Sequence, residues 1–147
     1  MHKNLRLQNP DGEILINPNI NYIKQIIINK DEQYWGKNTS GSSMIDFFEK
    51  GINIYSGELS LLYFYDSPHG FFIFYDMNFV PLKFIDELKD EVVIEHFVGC
   101  EPMNIPAICY RSREEAWKII EHFILHKTML ETYKWVALSE IIYDDNF

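Results

Sequence analysis

The sequence predicts an α+β fold, a mainly antiparallel sheet of about five to seven strands with two principal helices packed on it. Three observations carry this reading. An isoleucine series at helical spacing lies near the N-terminus, and a long middle run of short apolar and aromatic stretches is broken by turn residues. A capped amphipathic helix followed by a tryptophan-bearing strand then lies near the C-terminus. With 147 residues, a hydrophobic fraction of 47% and an aromatic fraction of 16%, the chain supports one substantial core and is too apolar for disorder. Residues 1–147 are therefore read as a single domain, with no repeat and no linker dividing it.

Met1 to Leu15 is polar and broken by Asn9-Pro10-Asp11-Gly12, which does not suit a signal peptide. Asn17-Pro18 reads as a helix start, cap then first helical position, and Ile20, Ile23 and Ile27 carry the helix to Lys30. Tyr34-Trp35-Gly36 and the run Thr39 to Ser43 interrupt that pattern. Strands are expected at Met44 to Phe48, Ile52 to Tyr55 and Leu59 to Tyr65. The turn Asp66-Ser67-Pro68-His69-Gly70 then returns the chain as a hairpin partner, Phe71 to Tyr75.

Leu59 to Tyr65 is apolar on both faces, so it is expected to be a central strand covered on both sides. Val80 to Ile85, Val92 to Val98 and Ala107 to Tyr110 are further strand candidates. Ser112-Arg113-Glu114-Glu115 has the form of a capping box. Ala116, Ile119, Ile120, Phe123 and Ile124 continue that helix to about His126, and Lys134 to Leu138 is the last strand. Trp35, Trp117 and Trp135 are expected to anchor the core.

Charge is distributed unevenly. Residues 1–57 hold six acids and six bases. Residues 58–101 hold nine acids against only Lys83 and Lys89, and the whole chain has a net charge of −9. Direct nucleic-acid binding needs clustered basic side chains, so it is not expected. No apolar run reaches the length of a membrane span. Cys100 and Cys109 are too few for a disulfide scaffold and suit reduced thiols in a cytoplasmic protein.

Catalytic patterns are scarce. His122 and His126 share a helix face at a spacing that suits a metal, but His-Phe-Ile-Leu-His lacks the glutamate of a zinc-protease motif and a third ligand. A role at the helix end, where a cation meets the dipole favourably, is the simpler expectation. There is no phosphate loop, dinucleotide fingerprint or nucleophile elbow. His69 reads as an exposed turn residue rather than a lone base. Neither an enzyme nor a metal or other cofactor is expected. Tyr63, Tyr65, Phe72, Phe74, Tyr75 and Phe79 are many for one side of a hairpin to hide, so either some of them form an exposed protein-binding patch beside Asp66 and Asp76 or most of them pack beneath the two helices.

Several of these segments together resemble a known family. Tyr34-Trp35 is followed by Ser40-Gly41-Ser42-Ser43 and by the hairpin Leu61-Leu62-Tyr63 to Gly70-Phe71-Phe72. Ile105-Pro106, Ser-Arg-Glu-Glu-Ala-Trp at Ser112 to Trp117, Phe123 and Trp135-Val136 complete the pattern. In these features the chain resembles the first-numbered immunity-protein family of bacterial polymorphic-toxin and contact-dependent growth-inhibition systems, from about Tyr34 to Val136. The resemblance implies an immunity-type domain: a cytoplasmic inhibitor that binds a cognate toxin domain before it acts. It supplies no target and no set of binding residues.

The charge pattern adds a physical expectation. An acidic surface suits a basic toxin cleft, such as that of a nuclease, and would block it without chemistry. The candidate partner-binding residues are Asp66, Asp76, Asp86, Glu87, Asp90, Glu91 and Glu95, with Tyr65, His69 and Phe79 as apolar or aromatic neighbours. The terminal Asp144 and Asp145 are a weaker second contact. Alternatives are a small-ligand-binding α+β domain with an aromatic pocket, and an acidic mimic that binds a nucleic-acid-handling host enzyme. A hydrolase built on His69 or His122 has the least support. Oligomeric state is left open.

Overall fold

The computed structural model describes residues 3–30, 32–35, 42–49, 60–66, 69–83, 89–90, 93–98 and 101–143. The chain begins with β1 (Lys3–Gln8), β2 (Ile14–Ile16), α1 (Ile20–Asn29) and the four-residue α2 (Glu32–Trp35). β3 (Ser43–Glu49), β4 (Ser60–Asp66), β5 (Gly70–Tyr75) and β6 (Phe79–Leu82) follow. β7 (Lys89–Asp90), β8 (Val93–Val98), β9 (Glu101–Pro106) and β10 (Tyr110–Arg111) lead into α3 (Arg113–His126), β11 (Lys134–Ala137) and β12 (Ile142–Tyr143).

Eight strands make one antiparallel sheet in the order β11-β6-β5-β4-β3-β1-β2, with β10 also pairing to β5. β8 with β9 and β12 with β7 form two smaller pairs. The class is α+β, as the sequence predicts.

β4 occupies the centre because both of its faces are apolar. Leu61 and Tyr63 join Phe71, Ile73 and Tyr75 of β5 beneath the helices, where α1 contributes Ile23, Ile26 and Ile27. From α3, Ala116, Trp117, Ile119, Ile120 and Phe123 close that layer. Phe64 and Phe72 point to the opposite face and stack with centroids 4.9 Å apart. Val80, Leu82, Ile94, Ile105, Cys109, Tyr110, Val136 and Ile141 complete the second layer. Alternation along a strand, with burial on both sides, thus yields a three-layer molecule.

Helix boundaries follow their caps. Ser112 Oγ accepts from Glu115 N (3.1 Å) while Glu115 Oε1 accepts from Ser112 N (3.0 Å), so the capping box forms as expected. The α1 cap is instead Asn19, whose Oδ1 accepts from Asn21 N at 2.8 Å. Asn17, two residues earlier, has φ 52° and turns its amide to the sheet, accepting from Leu5 N at 2.9 Å. Closing the end of the β1–β2 hairpin takes precedence there over starting a helix.

That hairpin is an element for which the sequence reading had no assignment. Asn9-Pro10-Asp11-Gly12 is its turn, with Gly12 at φ 92°, and Leu5 and Leu7 are buried under it. A second correction concerns Ala107 to Tyr110, which is a short 3₁₀ turn over Ala107–Cys109 followed by β10. The proline-bearing strand is Glu101–Pro106, which among the described residues pairs only with β8, and a strand with one partner tolerates proline. Ile52 to Tyr55 and the end of Val80 to Ile85 lie outside the described residues.

Trp35 and Trp117 are buried and Trp135 is half-buried against the helix layer, its Nε1 donating to Leu130 O at 2.9 Å. No helix among the described residues is long and apolar enough to cross a membrane.

Candidate functional site

The β4–β5 register fixes where the candidate partner-binding residues stand. Asp66 pairs with Gly70 at one end of the hairpin, and His69 lies in the connecting turn. Asp76 follows β5 at the other end, its N–H donating to Ser60 O at 2.8 Å, and Phe79 begins β6. β5 has six residues, so the two groups are separated by about 17 Å of strand. Glu95 is exposed on the β8–β9 ribbon, next to the buried Ile94. Asp90 is placed by its backbone in β7, whereas Asp86, Glu87 and Glu91, like Asp144 and Asp145, lie outside the described residues.

Among the aromatic candidates, Tyr65 and Phe79 are half-buried against the helix layer. The Arg113 guanidinium sits 4.3 Å from the Tyr65 ring centroid, and Phe71 packs on the same ring at 5.1 Å. His69 is exposed, with its ring 5.8 Å from that of Tyr110 on the opposite side of the sheet. Tyr63, Phe72 and Tyr75 are buried. The hairpin hides most of its aromatic side chains by using both faces of the sheet, in keeping with the two-faced apolar character of Leu59 to Tyr65.

The arginines are set apart from the other charged side chains. The chain has three arginines, Arg6, Arg111 and Arg113, and each is engaged internally. Arg6 forms a two-pronged pair with Asp46, at 2.8 and 2.5 Å. Arg111 is 6% exposed and donates to Ile108 O at 2.5 Å. Arg113 donates to Ile27 O at 2.9 Å, tying α3 to α1.

Lys83, one of the two cations in the acid-rich stretch, reaches Glu115 Oε2 at 3.0 Å. The Tyr133 hydroxyl donates to the same oxygen at 3.1 Å, and Arg111 Nη1 lies 3.9 Å away. Partial burial pushes the Glu115 carboxyl up, but the Ser112 N–H, Lys83, Tyr133 and Arg111 outweigh it and hold the group down at about 2. Burial and the Glu115 charge in turn push the Tyr133 hydroxyl up to about 12. Asp76, Glu95, Glu114, Glu131 and Glu140 are exposed, as are Lys24, Lys30, Lys118, Lys127 and Lys134.

Sequence reasoning found the capping box but missed this cluster, because Lys83 and Tyr133 are brought to Glu115 only by the β6–β11 pairing. Among the described residues no group of three or more His, Cys, Asp or Glu side chains is arranged to hold a metal. No protein-family model, curated protein or solved structure matches the chain.

Proposed function

We propose that this protein is an immunity protein that binds and neutralises a cognate bacterial toxin domain in the cytoplasm, covering a basic functional surface with an acidic one. The observation that supports it best is the fate of the arginines. All three are spent on internal contacts, and Lys83 is held by Glu115, while the acids Asp76, Glu95, Glu114, Glu131 and Glu140 stay exposed. Lys24, Lys30, Lys118, Lys127 and Lys134 are exposed as well, so the excess of negative charge is the chain's net −9, concentrated in residues 58–101. Such a field draws in a basic partner and disfavours an acidic one. The pattern of Tyr34-Trp35, the central hairpin, and the Ser112 to Trp117 helix start with Trp135-Val136 points to the same role.

The test is affinity capture from the protein's own source cells at low and moderate salt, followed by reconstitution with the domain recovered. A near-stoichiometric basic toxin domain whose activity falls on titration with this protein is the expected result. A nucleic-acid-handling housekeeping enzyme would replace the toxin reading with the mimic. Failure to bind or protect against every toxin domain expressed in those cells would end the inhibitor reading.

A further inference from the structure

The last turn of α3 carries two imidazoles that none of the contacts above employs. His122 and His126 are one helical turn apart, and their ring centroids lie 4.7 Å from each other. Two imidazoles bound to one zinc ion at ~2.0–2.1 Å per bond have their centroids about 5 Å apart. The spacing of the rings is therefore one that a shared ion can bridge. They line an open groove of about 440 Å³ with Thr128, Leu130, Glu131 and Thr132, so an ion reaches them from solvent.

Two further features favour a cation at this place. The final carbonyls of α3 present the negative end of the helix dipole, a field that falls on this turn. The Glu131 carboxylate shares the groove. His122 Nε2 lies 3.0 Å from Thr128 Oγ1, and an entering metal would take the hydroxyl's place on that nitrogen.

We propose that His122 and His126 chelate a first-row transition-metal dication of the Zn²⁺ class across the last turn of α3, leaving its remaining coordination positions to water or an incoming ligand. Imidazole pairs follow the order in which Cu²⁺ binds most tightly, with Ni²⁺ and Zn²⁺ below it, and Mg²⁺ is excluded as a hard oxygen-seeking ion. The site does not depend on the toxin reading.

Isothermal titration with zinc chloride and nickel chloride tests it on the intact chain, with magnesium chloride as control. One saturable site is expected for both transition metals, accompanied by a rise in Tm. His126→Gln and His122→Ala should each weaken binding tenfold or more, while His69→Ala leaves it unchanged. His126 is exposed, so its replacement tests the pair without touching the core, and circular dichroism checks that each variant is folded. Absence of saturable binding up to about 1 mM metal overturns the proposal. So does wild-type affinity in both His126→Gln and His122→Ala.

Discussion

Replacing Glu115 by alanine and by glutamine separates what its charge does from what its shape does. Alanine removes the Glu115 half of the capping box, the carboxylate that accepts from Ser112 N, at about 1 kcal/mol, and the partly exposed Lys83 pair, at about 0.5 kcal/mol, while Ser112 Oγ keeps the backbone N–H of residue 115. It also removes the Tyr133 hydrogen bond to a charged acceptor, at about 1.5 kcal/mol. The sum is about 3 kcal/mol, and the buried Arg111 loses its nearest carboxylate as well. Glutamine keeps the capping geometry and accepts from Tyr133, so its cost should be about 1–1.5 kcal/mol.

The two variants also differ in pH behaviour. The Glu115 carboxyl is held at about 2 in the folded chain against 4.5 when unperturbed. A depressed value means that the stabilisation is complete above pH 4.5 and is lost as pH falls towards 2. Fully expressed, that shift would be worth roughly 3 kcal/mol. The side chain is 21% exposed, and solvent screening reduces the figure to about 1–2 kcal/mol. Urea unfolding at pH 7 and at steps from pH 5 to 2.5 measures both quantities. The gap between wild type and Glu115→Gln should close across that range. A gap that stays constant with pH, or an alanine variant within 0.5 kcal/mol of wild type, would show that the cluster does not act as described.

Gly70→Ala should cost more than 3 kcal/mol, because φ is 111° and an added Cβ would stand 2.3 Å from the Arg111 carbonyl oxygen; thermal unfolding reads this directly. Phe123→Ala removes a ring packed against Phe47 and Tyr75 and should lower stability by about 3–5 kcal/mol in the same assay. Arg113→Lys loses both the Tyr65 stack and the fork that reaches Ile27 O, and a loss of about 1 kcal/mol with earlier hydrogen exchange at the end of α1 is expected. Joint reversal of Asp76 and Glu95 to lysine should slow association with a captured basic partner and flatten its salt dependence, with the fold unchanged; stopped-flow mixing over a salt series would expose an unaltered rate.

What was legible in the sequence was local. The Ser112 to Glu115 box lies within four residues, and the two-faced apolar character of Leu59 to Tyr65 specifies a central strand without reference to the rest of the chain. The N-terminal hairpin was not legible, because its strands are short and Arg6 and Gln8 alternate with Leu5 and Leu7 in a pattern that reads simply as polar. Asn17 misled for a related reason: its amide serves a backbone group twelve residues away, and a cap rule weighs only neighbours. The candidate surface shows the same limit. Acid count along the chain located the charge, but the hairpin register sends Asp66 and Asp76 to opposite ends. That Tyr65 is engaged by Arg113 depends on where α3 packs, which composition does not encode.

The central sheet acts as a partition between two separately held layers. Odd positions of β4, such as Leu61 and Tyr63, are held by the helices, and Phe64 on the even side is held with the ribbon residues Ile94 and Ile105. Among the described residues the ribbon strands pair only with each other, and there the ribbon meets the sheet through side-chain packing rather than shared ladder hydrogen bonds. Such a lid can lift while the helix layer stays closed, giving two cooperative units of unequal lifetime. Amide exchange would then separate β8 and β9 from β4, whose N–H groups are paired on both sides through β3 and β5 and survive either partial opening.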